Sequence, residues 1–154
     1  MVCAVVSEGS SGKIELESSD LGARYGAALP GYKPLVSPYP LTLITPASDQ
    51  RITSTFGGLA VNGGMPTLEI NPADAAARGL TDGVSVKVFN DLGEVYLRLR
   101  ITDAVRPGVI SSEKGAWLRT SPNGQTVSAL APTLKADLAE GACYNDCRVD
   151  VAVH

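Results

Sequence analysis

The sequence predicts a mainly β protein built around a small closed barrel. Short runs of strand-forming residues recur from residue 41 onward and are separated by clear turn signals. A single compact helix signal is inserted before a strong hairpin signal, and a last alternating run, residues 147–153, supplies a closing strand. Many short strands with one inserted helix are typical of small barrels.

Residues 1–40 precede this region and are predicted to form a connecting arm. They are rich in Ser, Gly and Pro, with four prolines between residues 30 and 40. Because proline lacks a backbone donor and favours extended chain, we expect the arm to lie over a surface rather than to build a core. Residues 13–17 alternate polar and apolar side chains and predict one short strand within the arm.

The first part of the barrel is predicted to be two strands followed by a helix. Residues 41–45 and 67–70 are the two strand runs. Asn71 then stands as the N-cap of a helix, with Pro72 at the first helical position and Gly79 as the C-terminal stop. We therefore expect one short helix between the second and third strands.

The second part is predicted to be a hairpin followed by a short strand. Residues 85–89 and 94–102 both alternate, and the residues between them, 90–93, read Asn-Asp-Leu-Gly, which is a turn sequence. Residues 106–108 read Arg-Pro-Gly and predict a further tight turn before a short strand at 109–110.

Composition argues against several classes of function. A net charge of −3 without clustered Lys and Arg gives no electrostatic footprint for a nucleic acid. No apolar run approaches the roughly 20 residues that a membrane-spanning helix needs, so we expect no membrane insertion. The one histidine, His154, is the last residue, which argues against chemistry that needs a placed imidazole.

The cysteines and the first residues bear on the compartment. Cys3, Cys143 and Cys147 make an odd count, which argues against a disulfide framework and favours a reducing, cytoplasmic location. Residues 1–7 are apolar but lack a basic flank, so we do not expect a signal peptide, and we leave open that a parent enzyme is periplasmic. The Cys-x3-Cys spacing lacks two further zinc ligands, so Cys147 is expected to be a small apolar side chain on the closing strand.

Ordered motifs along the chain resemble a single protein family. Their order is Tyr-Pro-Leu-Thr-Leu-Ile-Thr-Pro at 39–46, Ile-Asn-Pro-Ala-Asp-Ala-Ala-Ala-Arg-Gly at 70–79, Asp-Gly at 82–83, Val-Lys-Val at 86–88, Asn-Asp-Leu-Gly-Glu at 90–94 and Arg-Pro-Gly-Val at 106–109. This series is similar to the dinucleotide-binding domain of the molybdopterin oxidoreductases, the dimethyl sulfoxide reductase-like family that includes formate dehydrogenases and nitrate reductases. Residues 11–16 resemble the segment that links the catalytic body to this C-terminal domain.

The resemblance implies a fold and a role. The fold is a double-psi β-barrel (aspartate-decarboxylase-like) with one or two short helices over residues 41–154, and residues 1–40 are then a linker arm from the preceding catalytic domain. The role is to bind and cap a molybdenum (or tungsten) bis(molybdopterin guanine dinucleotide) cofactor, shared with the remaining domains of a parent oxidoreductase.

The same resemblance limits what this chain contributes to chemistry. In the family the metal ligand and any iron–sulfur cluster lie on other domains, and three cysteines cannot supply a four-cysteine cluster. It therefore implies no catalytic residue and no metal ligand here, and the chain is not expected to be catalytic alone.

The loop after the first strand is the first cofactor-binding segment that the resemblance implies. Hydroxyl groups and a guanidinium suit the phosphates and hydrogen-bonding edges of a pterin dinucleotide. The residues are Thr45, Ser48, Arg51, Thr53 and Ser54, with Thr53 standing where the family often carries His. The alternative is a solvated loop whose arginine pairs with a surface carboxylate.

Three later segments complete the implied site. Lys114 and Trp117 belong to a stretch that corresponds to the family's Gly- and Trp-rich loop near the active-site funnel, although Trp117 also suits a gap in the core. Ser128 stands where the family usually has Asn, and its hydroxyl can still donate and accept. Asn145 and Asp146 lie in the last loop before the closing strand.

Four other polar residues have structural explanations. Helix capping and the helix dipole account for Asn71 and Asp74. Turn geometry accounts for Asn90 and Asp91, because Asn and Asp tolerate left-handed dihedral angles.

Two other functions are kept as alternatives. One is a free-standing barrel subunit of a larger redox complex, as in the small subunit of formylmethanofuran dehydrogenases, and the other is a cofactor-free interaction module. A self-cleaving decarboxylase is rejected, because the Gly-Ser bond that could generate its cofactor, at residues 9–10, lies in the arm.

Overall fold

The computed structural model describes residues 16–29, 31–57, 64–136 and 140–154. The chain divides into two compact units, Met1–Leu35 and Val36–His154. The strand predicted at 13–17 lies largely outside the described residues, and its two described positions, 16 and 17, are not in a strand.

The second unit is a closed barrel of six strands. They are β1 Leu41–Ile44, β2 Thr67–Ile70, β3 Ser85–Asn90, β4 Gly93–Ile101, β5 Val109–Ser111 and β6 Arg148–Val153. Their order around the barrel is β1, β5, β2, β4, β3 and β6, and β6 pairs back onto β1. The pairs β1–β5 and β2–β4 are parallel, and the other four pairs are antiparallel. This architecture confirms the predicted mainly β barrel, with strand bounds within about one residue of those expected from period-2 alternation.

The barrel is held together by one apolar cluster to which every strand contributes. Alternate residues of each strand point inward, as Leu68 and Ile70 do on β2 while Thr67 and Glu69 face away. The largest fully buried side chains are Leu41, Leu43, Leu68, Ile70, Leu99, Ile110, Leu130, Val86, Val88, Val95 and Val149. Burial of each such side chain contributes about 1.5–3 kcal/mol, and a one-residue slip would expose a whole strand's set, so the cluster also fixes the register.

Helix α2, Pro72–Ala76, lies between β2 and β3, where a helix was predicted. The Asn71 side-chain oxygen accepts from the Ala73 amide at 3.0 Å, which is the predicted cap. Gly79 is left-handed with φ 63°, but the helix ends at Ala76, before the predicted stop, and residues 77–79 form a turn.

Two side chains of this helix region also make tertiary contacts that the capping explanation did not include. The Asn71 amide nitrogen donates to the Val105 carbonyl at 2.8 Å. Asp74 Oδ2 accepts from the Gly108 amide at 2.7 Å, in the turn closed by the Val109 amide and the Arg106 carbonyl. The helix is therefore tied to the turn that starts β5.

The β3–β4 hairpin is present as predicted, and its turn lies within the predicted residues 90–93, with Asn90 paired to Gly93. The expected reason was wrong, because Asn90 and Asp91 are not among the residues with positive φ. Instead, Asn90 Oδ1 accepts from the Leu92 amide at 2.9 Å, and Asn90 Nδ2 donates to the carbonyls of Leu130 at 2.9 Å and Arg148 at 3.1 Å. One amide side chain thus closes the turn and joins two other segments to it.

The first unit contains a helix that was not predicted, α1 Ser19–Tyr25. The Ser18 hydroxyl accepts from the Leu21 amide at 3.3 Å, and Gly26 ends the helix in a left-handed conformation with φ 69°. Arg24 pairs with Asp20 one turn earlier at 3.0 Å. These are the usual signals of a helix start and stop. They were overlooked because the prediction for residues 1–40 rested on overall composition.

The segment entering β1 is attached to the hairpin by Tyr39. Its phenol donates to Asp91 Oδ1 at 2.6 Å, and its ring meets Phe89 edge-on with 6.2 Å between ring centroids. The hydrogen bond to Asp91 is the main cause that raises the pKa of Tyr39 above its ordinary value.

We expect Asn71→Ala to lower the free energy of unfolding by about 1–3 kcal/mol, because it removes both the helix cap and the donor to Val105. Asn71→Ser keeps a capping oxygen and should lose less. Urea unfolding of the two variants measures this. Equal losses in both would show that the cap contributes nothing, and no loss in either would contradict both contacts.

Candidate functional site

Two loops emerge side by side at one end of the barrel. Because β1 and β5 are parallel and Ile44 is in register with Ser111, both strands end at the same level. We name residues 45–57 the β1 loop and residues 112–121 the β5 loop. Backbone bonds continue the pairing past the strands, from the Ser112 amide to the Ile44 carbonyl at 3.1 Å and from the Lys114 amide to the Pro46 carbonyl at 3.0 Å.

Trp117 joins the two loops further out. Its indole Nε1 donates to the Ser54 carbonyl at 2.6 Å, and the Arg119 guanidinium lies 4.0 Å from its ring centroid. The indole also approaches Gly57 so closely that a Cβ there would stand 2.8 Å from the ring. Trp117 is half-buried and outside the core cluster, so it does not fill a gap in the core.

The β1 loop is held in a strained conformation against Gly115. Thr53 and Phe56 have positive φ, 55° and 68°, a region that costs non-glycine residues on the order of 1–2 kcal/mol each. Gly115 has φ 98°, and a Cβ at this position would overlap the carbonyl oxygen of Thr53. The strained backbone therefore depends on a glycine in the facing loop.

Arg51 forms the side-chain link between the loops. Its Nη2 lies 3.0 Å from Glu113 Oε2, and its side chain is 11% exposed against 48% for that of Glu113. The ion pair with a surface carboxylate, expected as the alternative for this loop, is thus present. Within the described residues, the Arg51 Nε is nevertheless buried without a hydrogen-bond partner, and so is the Ser112 hydroxyl.

A cavity of about 380 Å³ lies where these loops meet β2 and β4. Its described lining is largely polar and includes two ion pairs, Arg51 with Glu113 and Arg100 with Glu69 at 3.3 Å. The lining residues are Pro46, Gln50, Arg51, Gly57, Gly64, Met65, Pro66, Thr67, Glu69, Arg100, Ser111, Ser112, Glu113, Ala116 and Thr120. Positively charged donors and negatively charged acceptors therefore line the same cavity.

The residues predicted to bind a cofactor divide into two sets. Arg51 lines the cavity, and the other predicted residues of the two loops belong to the same segments but are not lining residues, namely Thr45, Ser48, Thr53, Ser54, Lys114 and Trp117. Ser128, Asn145 and Asp146 are exposed and lie outside the cavity lining. Ser128 belongs to a 3₁₀ helix, Val127–Leu130, that packs on β4, and the loop carrying the last two leads into β6. Their roles stay predictions.

Several cavity residues were not predicted from the sequence. Ser112 and Glu113 follow the run 109–110 that was predicted as a strand, after one intervening residue, so their position near its carboxyl end was a usable signal. Glu69 and Arg100 sit at outward positions of β2 and β4 and are paired in register. Only the parallel pairing brings those two together, and the local sequence does not indicate it.

The described cysteines have no metal-site geometry. Cys147 is buried, and its thiol donates to the Leu130 carbonyl at 3.0 Å, whereas Cys143 is partly exposed. Burial raises the pKa of the Cys147 thiol from 9.0 to about 11. Cys147 precedes β6 and packs in the core cluster as the predicted small apolar side chain. In the part of the chain that the structure describes, no group of three or more His, Cys, Asp or Glu side chains could hold a metal ion.

None of the described helices is both long enough and apolar enough to cross a membrane.

Comparison with protein families gives a match over most of the barrel. Residues 41–148 match the family described as "Molydopterin dinucleotide binding domain". Among curated proteins, the chain is 34% identical over 146 residues to a probable oxidoreductase, YoaE, of Bacillus subtilis, covering 92% of this chain and 21% of that protein. It is 31% identical over 161 aligned positions to a putative catalytic subunit of dimethyl sulfoxide reductase from Halobacterium salinarum, covering 92% and 19%.

A solved structure shares the fold. Acetylene hydratase from Pelobacter acetylenicus superposes with a TM-score of 0.72 at 22% identity, over 94% of this chain and 24% of that one. The chain thus spans about a fifth to a quarter of the length of these matched proteins.

We expect Gly115→Ala to separate the two loops, because its Cβ would overlap the Thr53 carbonyl oxygen. It should lower the free energy of unfolding by about 3 kcal/mol or more and shift the emission of Trp117, the one tryptophan, to the red. Gly124→Ala is the matched control, because Gly124 also has positive φ, 68°, but has no atom within 4 Å of an added Cβ. Equal effects of the two substitutions would contradict the close approach.

We expect the free energy of unfolding to fall as pH rises from about 9 to about 11, because the folded state keeps the Cys147 proton that the unfolded thiol loses. Urea unfolding across this range measures the slope. Cys147→Ala should flatten this slope, and the slope that remains in the variant belongs to other titrating groups. A slope insensitive to Cys147→Ala would refute this effect of burial.

Proposed function

Because this chain belongs to the molybdopterin dinucleotide binding domain family of the dimethyl sulfoxide reductase-type oxidoreductases, we propose that it binds and caps a molybdopterin guanine dinucleotide cofactor. The finer form that we propose is a molybdenum (or tungsten) ion held by two such dinucleotides. Other domains of a larger oxidoreductase would share that cofactor. This chain would bury one side of it without being catalytic alone.

The observation that carries the proposal is the pair of buried, unpartnered polar atoms at the cavity. A buried donor or acceptor without a hydrogen bond costs about 1–3 kcal/mol, so such atoms point to a missing partner. In the part of the chain that the structure describes, Arg51 Nε and the Ser112 hydroxyl are both of this kind, and both residues line the same cavity. A ligand with several hydrogen-bonding edges fits this donor set.

The residues of the two loops would divide the work of binding. Arg51 supplies a guanidinium that is already ordered by Glu113 and by the Lys114 carbonyl, so little side-chain freedom is lost when a ligand arrives. Trp117 holds the β1 loop in place through Ser54. When bound, the pterin-held metal supplies the redox chemistry, and the protein supplies position and electrostatics.

Two parts of the proposal concern the rest of the chain. We propose that residues 1–40 act as a linker arm and that residues 41–154 form the binding barrel. We also propose a reducing, cytoplasmic setting, which the odd number of cysteines supports.

The proposal is tested by calorimetric titration of the full 154-residue chain with molybdopterin guanine dinucleotide released anaerobically from a molybdenum enzyme. We expect binding, and we expect Arg51→Ala to weaken it about ten- to hundredfold through loss of a charge-assisted donor. Arg24→Ala, which removes an exposed arginine from an ion pair on α1, is the control and should bind like the original chain. Absence of binding, or equal binding by Arg51→Ala, would overturn the proposal.

A further inference from the structure

The cavity is balanced in charge among its described lining residues. Arg51 and Arg100 carry two positive charges, and Glu113 and Glu69, at 3.0 Å and 3.3 Å from them, carry two negative ones. The sequence between the cavity-lining glycines 57 and 64 contains no charged residue. A phosphate entering this space would meet two carboxylates beside the two arginines, and like charges in close contact repel.

Positive charges outside the cavity are available for phosphates. Lys114 and Arg119 lie in the β5 loop, both are exposed, and neither is a lining residue. The charged part of a dinucleotide is therefore better placed along this loop than inside the cavity.

The polar side-chain groups of the cavity that could bind a ligand include both hydrogen-bond donors and acceptors. The Ser112 hydroxyl is buried, has no partner among the described residues and can both donate and accept, in a residue that is 2% exposed. Glu113 uses Oε2 for the ion pair with Arg51, and within the described residues no hydrogen bond is recorded to its Oε1. Arg51 Nε is a further donor that has no partner in residues 16–29, 31–57, 64–136 and 140–154.

These cavity donors and acceptors are of the types that one kind of aromatic ring edge requires. A 2-amino-4-oxopyrimidine ring presents a ring N–H and an amino N–H next to each other, flanked by a carbonyl oxygen. A carboxylate accepts the two N–H groups, while a hydroxyl or guanidinium donates to the carbonyl. Guanine and pterin share this edge, and neither ring carries a charge at neutral pH.

We propose that the cavity binds the neutral 2-amino-4-oxopyrimidine ring of its ligand, with Glu113 as the acceptor and Ser112 as a donor, and that the phosphates bind outside it. This inference rests on the proposed function for the identity of the whole ligand. It names Glu113 and Ser112 as the residues that determine which part of that ligand enters.

The test is a set of calorimetric titrations of the full chain with guanosine, pterin and inorganic pyrophosphate. We expect guanosine or pterin to bind, and competition between the two identifies which ring the cavity prefers. Glu113→Gln should weaken ring binding about tenfold, the loss expected for a hydrogen bond to a charged group, and Ser112→Ala should weaken it several-fold. Pyrophosphate should bind no more weakly to Glu113→Gln than to the original chain.

Glu140→Gln is the matched control. It removes the same carboxylate from an exposed ion pair, with Lys135 at 2.9 Å, outside the cavity. It should leave ring binding unchanged. Trp117 emission reports whether each variant keeps the two loops together.

The outcomes separate this inference from the proposed function. If the whole dinucleotide binds but neither ring does, or if pyrophosphate binds more tightly than both rings and Glu113→Gln leaves ring binding unchanged, the inference fails and the proposed function stands. If a ring binds and Glu113→Gln weakens it while the whole dinucleotide does not bind, the proposed function fails and the ring site stands.

Discussion

The parallel pairing of β1 with β5 is the constraint on which the rest of the site depends. It places Ile44 level with Ser111, so the chain leaves both strands at the same end of the barrel and in the same direction. Were the two strands antiparallel, the loop after β5 would leave from the opposite end. The ion pair of Arg51, the indole bond of Trp117 and the close approach at Gly115 all follow from this one register.

What could be predicted from the sequence is what short stretches of chain determine by themselves. The Asn71-Pro72 helix start and the β3–β4 hairpin were recognisable because capping and alternation act over a few residues. Helix α1 was missed because the overall composition of the arm was weighed above its local cap and stop. Ser112 and Glu113 were missed as cavity residues although they lie just after a predicted strand, because that position alone does not say what they would face. Their importance arises from pairing with residues more than 60 positions away, and strand register across that distance cannot be read from local pattern.

The backbone strain in the β1 loop is offset by contacts with the β5 loop that keep it ordered. Thr53 and Phe56 occupy backbone conformations that a free loop would avoid, and the contacts of Trp117 and Gly115 hold the surrounding segment in place. A loop ordered in this way presents its arginine before any ligand arrives. The entropy of ordering has then been lost during folding and does not weaken binding.

Closure of the barrel has a consequence for how such a unit is made and reused. Every described strand has two neighbours, so these six strands offer no row of free backbone amides onto which a strand of another molecule could add. Open sheets of this size need charged or covered edges to avoid that form of aggregation. A closed barrel can therefore emerge during synthesis, or be joined to a different larger protein, with little risk of pairing wrongly with its surroundings.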